Sequence, residues 1–475
     1  MRKILNLLFV FPLIFIIVAC SNNEEVETGA NDEEVVTLNL WNRYPELREP
    51  FDILISEFEE QYPNIKIEKQ DLPLDSHEAQ LQTAISSGEL PDIFTTGADL
   101  TELVDNDLVK NLDEVFTSEV KAEYHEGTWW ESGTTLNDSV YVFPFVAPQT
   151  GAMMMYYNLN VLEDLGIGED EVPKTWEEFK AISKRISEES NGQISSLAWN
   201  NEAWSNEGVV SMVGTAISPE TTYGWNLKEG VPSYISEGIL QSAEFLKELY
   251  DNGFMAANSL EVSTIDAEAH FAAGTSAFWF SGPWTGNHLI NDHNLTNWGV
   301  APLPTNNGDF YYYPAARQAD GLQVNEDTEN WEEVKIFLEF SLDNLYEPFY
   351  VNTGLGIPAK KGVEGELAFE QQQDIVDLQL KHVIPIPRPV QVNLDTIEFQ
   401  RQYNNTLEFQ GVGDAVVGYI GGQIDDLEST LEQRDQTAKQ NFTNLLEESS
   451  NVTKEDFTFP NWVPFEPYTL EDYEE

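Results

Sequence analysis

This chain of 475 residues has a single cysteine and few cations. With Cys20 alone, no intrachain disulfide can form, so packing rather than covalent staples must hold the fold. Lysine and arginine number 24 against 83 aspartates and glutamates, a formal net charge of −59. A field of that sign repels phosphate backbones and anionic lipid surfaces, which argues against nucleic-acid binding by charge neutralisation. No zinc-protease pair, P-loop, GxSxG elbow or CxxC spacing occurs, so the motifs imply no cofactor, no metal and no covalent nucleophile. The six histidines are scattered; His288 and His293 stand five apart, off helical ligand spacing, and read as surface residues.

What is present is ample apolar material, 41% hydrophobic and 12% aromatic, enough for packed cores in two or three domains. At the N-terminus Arg2 and Lys3 precede an apolar run from Ile4 to Val18 and then Ala19-Cys20, the layout of a secretion signal too short for a membrane span. "IVAC" resembles a lipobox, which implies cleavage after residue 19 and acylation of Cys20, with residues 20–34, polar and acidic, as a disordered tether. Acidity spread along the whole chain suits a salty or alkaline medium.

The hydrophobic periods predict an α/β fold. "VVTLNLW" reads as a buried strand, Phe51, Leu54, Ile55 and Phe58 as one face of a helix starting near Pro50, and "IKIEKQ" as a second strand. A helix stopping at Gly88 and a short strand in "PDIFTTG" continue the alternation expected of a parallel sheet. Thr175 and Glu178 have capping-box spacing ahead of Phe179, Ile182 and Ile186, and Trp176 beside them reads as packing.

The aromatics point to a ligand. Trp41, Tyr44, Trp199, Trp204, Trp284 and Tyr311 to Tyr313 lie at strand ends or in turn-rich loops, where open α/β sheets bind their ligands. A sugar ring asks for a flat apolar platform rimmed by hydrogen-bonding groups, and "LWNRY", "WNNEAW" and "YYYPAARQAD" offer both; an uncharged ligand suits so negative a protein. An accidental carboxylate pair at glycosidase separation stays open among so many acids.

The segments "TLNLWNRYPE…FEEQYPNIKIE", "ISSGELPDIF", "YYNLNVLEDLGI…VPKTWEEF", "FAAGTSAFWFSGPW", "WGVAPLP" and "NTGLGIPAKKG" resemble, in content and order, the maltose-binding-protein-like solute-binding proteins of carbohydrate ABC importers. The resemblance implies a two-lobe periplasmic-binding-protein-like fold with three inter-lobe crossings and a ligand cleft between the lobes, closing by hinge motion. The crossings are expected at 147–151, 302–307 and 342–347, giving lobes of 35–146 plus 308–342 and 152–301 plus 347–450, with 451–475 as a tail packed on a lobe through Phe457, Trp462 and Tyr468. Carried over by position, the ligand contacts would be Trp41, Asn42, Arg43, Tyr44, Thr96, Asp99, Gln149, Trp199, Glu202, Trp204, Trp284, Tyr313 and Arg317. The partners implied are a sugar or oligosaccharide and importer permease subunits, for a lipid-anchored monomer outside the cell membrane. An anchored polysaccharide-degrading enzyme and a surface adhesin are the alternatives.

Overall fold

The computed structural model describes residues 35–44, 47–72, 74–125, 127–222, 224–313, 320–354, 356–409 and 411–473. The leader, the tether, Cys20 and Arg317 lie outside them.

Strand β1 (Val36–Asn42) turns Leu38 and Leu40 inward at alternate positions. It pairs in parallel with β2 (Ile65–Asp71) and β3 (Ile93–Phe94), with Leu38 opposite Ile67 and Leu40 opposite Ile93. Between them runs the helix Arg48–Gln61, whose Phe51, Leu54 and Phe58 are buried against that sheet. β4 (Phe143–Pro144) closes one edge through a returning strand described below. These elements enclose one core, the first lobe.

A second sheet is built from β5 (Met154–Asn158), β6 (Ser195–Ala198), β7 (Ser276–Ser281) and β8 (Trp298–Ala301), in the order β8-β5-β7-β6. β7 runs parallel to β6 and antiparallel to β5, and all six of its residues are buried, because helices cover both faces. The helix Trp176–Glu189 packs here behind its capping box, with Glu178 N donating to Thr175 Oγ1 at 3.2 Å and Thr175 N to Glu178 Oε2 at 3.0 Å. Trp176 stacks on Phe245 at 5.2 Å, a packing role.

The chain then returns to the first sheet as β9 (Gly321–Val324), giving the order β2-β1-β3-β9-β4. Gly321 is required at that return: a Cβ there would stand 2.2 Å from the Phe143 carbonyl oxygen of the neighbouring strand. The fold is therefore two α/β lobes joined by three passages.

The first passage lies between Phe145, in the first core, and Ala152, in the second. The other two depart from the expected boundaries. Leu303, Phe310 and Tyr312 all pack in the second core, and Tyr312 exchanges backbone hydrogen bonds with His382 and Ile384. The second passage therefore falls between Tyr313 and Asp320, not at 302–307. Leu345, Tyr346, Phe349 and Ala359 remain in the first core, whereas Phe369 belongs to the second lobe. The third passage therefore falls between Ala359 and Phe369 rather than at 342–347. Residues 145–147 and 357–359 run antiparallel beside each other at the join, with Ala147 N on Ile357 O at 2.8 Å and Ala359 N on Phe145 O at 3.0 Å.

The C-terminal segment lies along the second lobe. Phe457 stacks on Trp225 at 5.2 Å and 7°, Phe465 on Tyr311 at 4.2 Å, and Trp462 is buried with Leu227, Tyr313 and Ile384. Tyr468 and Tyr473 pack at the edge of that cluster.

Candidate functional site

In the first lobe the ends of β1 and β3 form one polar cluster. Asn42 is buried; its Nδ2 donates to Tyr44 O and Asp71 Oδ1, both at 2.8 Å, and its Oδ1 accepts from Tyr44 N at 3.0 Å. Arg43 N donates to Thr95 Oγ1 at 2.9 Å and its Nη1 to Glu78 Oε1 at 2.9 Å. Thr96 Oγ1 and Gly97 N donate to the same Glu78 carboxylate. Tyr44 reaches Asp320 Oδ1 through its hydroxyl at 2.8 Å. Asn42, Arg43, Tyr44 and Thr96 thus converge, joined by Glu78 and Asp320, which the sequence reading did not single out. Asp99 instead caps the helix Leu100–Asp105, accepting from Thr101 N and Glu102 N. Trp41 is half-buried and packs among Leu81, Phe94 and Leu100.

In the second lobe "WNNEAW" separates into two unlike tryptophans. Trp199 is 1% exposed, sealed in the core with its Nε1 on Asn206 Oδ1 and its ring edge-on to Phe280, which corrects its expected place at a ligand. The cause is that Ser196, Leu197 and Ala198 before it are buried on both faces of β6, and Trp199 continues that run. Trp204 is 51% exposed at the start of the helix Ala203–Gly214. Its Nε1 donates to Glu202 Oε2, and the same carboxylate accepts from Thr264 N at 3.1 Å and Thr264 Oγ1 at 2.8 Å. Burial pushes the Glu202 carboxyl upward, but these hydrogen bonds outweigh it and hold the group below its ordinary range. Glu202 is therefore an anion that clamps an indole face toward solvent.

Trp284 follows the Gly-Pro corner at the end of β7. It is half-buried, and its indole folds back over Gly282 so closely that a Cβ there would meet the ring at 2.2 Å. The Gly282 carbonyl in turn accepts from Tyr156 Oη at 2.8 Å, fixing the turn to β5. Tyr313 is 1% exposed and covered by the C-terminal segment, its hydroxyl accepting from Phe465 N at 3.3 Å; this corrects its expected contact with ligand. His288 and His293 are not simple surface residues either, since both ring nitrogens converge on the buried Glu268 Oε1, at 3.2 and 3.3 Å.

Gln149, on the first passage, borders a cavity of about 250 Å³ shared between the lobes. Trp129 and Trp130 wall it from the first lobe, Pro385, Ile386, Arg388 and Gln391 from the second, and Pro467, Tyr468 and Tyr473 from the C-terminal segment. The Arg388 guanidinium lies 3.9 Å above the Trp130 ring. Sequence reasoning passed over this wall, although "EGTWWESG" has the turn-rich aromatic character of the loops it did select. The described lining residues offer flat rings, one cation and two amides, Gln149 and Gln391, and no Asp or Glu. Among the described residues no group of three or more His, Cys, Asp or Glu could hold a metal, and no helix is long and apolar enough to cross a membrane.

With this geometry in view, the chain can be set beside known proteins. A putative binding protein of Brucella abortus is 24% identical over 264 residues, 54% of this chain and 59% of that protein's length, so the match spans only about three-fifths of this relative. Among solved structures, an ABC transporter solute-binding protein from Thermotoga lettingae bound with α-D-tagatose superposes with a TM-score of 0.64 at 20% identity, covering 86% of this chain and 99% of the other. The sugar-binding protein MalE from Xanthomonas citri gives 0.60 at 19%, covering 86% and 98%. The sequence profile of the bacterial extracellular solute-binding proteins matches residues 44–344, more than half of the chain, and the chain belongs to that family.

Proposed function

We propose that this protein is a receptor outside the cell membrane, anchored through an acylated Cys20, that captures a sugar or oligosaccharide by closure of its two lobes and hands it, as a monomer and without catalysis, to the permease of an ABC importer. The observation that carries this reading is the cavity shared by both lobes and the first passage, walled by Trp129 and Trp130 on one side and Pro385, Ile386, Arg388 and Gln391 on the other. Closure about three chain passages changes the spacing of two such walls without unfolding either lobe. Trp204 at the start of the helix Ala203–Gly214 and Trp284 beyond the end of β7, with the Arg43-Glu78-Thr96 cluster in the first lobe, supply further stacking and hydrogen-bonding groups. Solute-binding structures with the same fold hold sugars such as raffinose and tagatose, which supports a saccharide ligand here. Sugar hydrolysis uses a carboxylate pair, and the described lining residues bring no carboxylate to the cavity. A charge of −59 favours a ligand uncharged over most of its surface.

Intrinsic tryptophan fluorescence, titrated with a panel of plant and bacterial oligosaccharides, tests the reading. Saturable change with at least one saccharide is expected; silence across the panel, with a response to peptides or metal chelates, would overturn it.

A further inference from the structure

Arg388 is an exception among the described arginines. With acids outnumbering bases 83 to 24, a cation finds a carboxylate almost wherever it lies. Arg43, Arg185, Arg401 and Arg434 each reach one, on Glu78, Glu171, Glu398 and Asp414, and Arg48 is exposed to solvent. Arg388 sits at the interlobe cavity, its Nη1 is buried without a hydrogen-bond partner, and among the described residues no acid pairs with it. Burial opposes its charge and lowers its pKa. Arg388 is half-buried with its Nη1 fully covered; a cation so placed without a partner is costly, and a fold with so many acids could readily have supplied a counterion.

The site is nonetheless built to hold that cation in place. The guanidinium carbon lies 3.9 Å from the centre of the Trp130 ring, and Nη1 is left without a hydrogen-bond partner. Its backbone is tied by the C-terminal segment: Arg388 N donates to Tyr473 Oη at 2.7 Å, and Tyr468 N donates to Pro385 O at 3.0 Å. Such a fork in a largely apolar cavity matches a planar carboxylate, two acceptors and one negative charge. A phosphate, nearer two charges, would leave excess negative charge beside Pro385, Ile386 and Pro467.

We propose that the cavity is a subsite for a carboxylate-bearing sugar unit, with Arg388 as its anion contact and the C-terminal segment as the element that positions it. This rests on the saccharide-receptor reading and narrows its substrate class to oligosaccharides carrying a uronic acid on an otherwise uncharged chain. The ligand then supplies the counterion that the protein withholds, and a neutral saccharide leaves the cavity cation unpaired.

The test is calorimetric titration of the full chain with disaccharides paired with the aldobiouronic acids that differ only in one carboxylate, cellobiose against cellobiouronic acid being such a pair, together with glucose 6-phosphate. The acidic member of at least one pair is expected to bind about tenfold tighter or more. Arg388→Gln should abolish the preference, and Arg388→Lys, which keeps the charge and loses the fork, should retain part of it. Since the matched pairs are compared on the unaltered protein, misfolding of a variant does not protect the proposal. Equal binding of acidic and neutral partners, or tighter binding of the phosphate, overturns this inference and leaves the receptor reading standing. No binding of any saccharide, acidic or neutral, overturns both.

Discussion

Trp284 shows how a single glycine can aim a side chain. Its indole occupies the space a Cβ on Gly282 would need, at 2.2 Å, so Gly282→Ala must swing the ring away from its corner. The clashing atoms are the far end of a side chain that can rotate, so the melting temperature should change little. Saccharide affinity should fall about three- to tenfold, the worth of one aromatic contact, and unchanged affinity would remove Trp284 from the ligand surface. At this scale the sequence was only partly legible. It placed Trp199 and Trp204 in the same loop with the same role, yet one is 1% and the other 51% exposed. No polar alternation marks the inward side of a strand buried on both faces, so nothing local told the two apart. Tyr313 was misread for a different reason: the residues that cover it are more than a hundred positions away along the chain.

Elements were more legible than residues, because amphipathic periods are local. The helices Arg48–Gln61 and Trp176–Glu189 follow from their apolar spacing and, in the second, from the Thr175-Glu178 box. Passages between lobes were harder to place. The Pro-rich "APLPT" lacks periodicity and so reads as a connector, but Leu303 is buried in the second core and the strand-like pairing of Tyr312 with His382 and Ile384 keeps the chain there. The C-terminal segment covers part of the second lobe. Trp462 is buried against Leu227 and Tyr313, so Trp462→Ala should cost about 3–5 kcal/mol in urea unfolding. A loss under about 1 kcal/mol would mean that the segment is a loosely held appendage and could not position Arg388.

Over the whole molecule the charge of −59 is the background that the proposed lobe closure would have to work against. Charges this numerous repel one another, and added ions screen that self-repulsion, to within a Debye length of about 3 Å at 1 M salt. Thermal unfolding should then move to higher temperature as NaCl is raised; a flat or falling melting temperature would show that self-repulsion does not limit the fold. The same repulsion acts between the lobes, so screening should also ease their approach. The two-lobed plan was legible from the order of "GELPDIF", "PKTWEEF" and "SGPW" along the chain, whereas the shared cavity was not, since it is assembled from the first third, the last third and the end of the sequence.

The most direct measurement is small-angle X-ray scattering of the full chain, with and without a saturating saccharide identified by the fluorescence titration. Closure of two lobes about a bound sugar predicts a smaller radius of gyration in the liganded sample. A radius unchanged at saturation would contradict capture by hinge closure and favour a rigid surface adhesin.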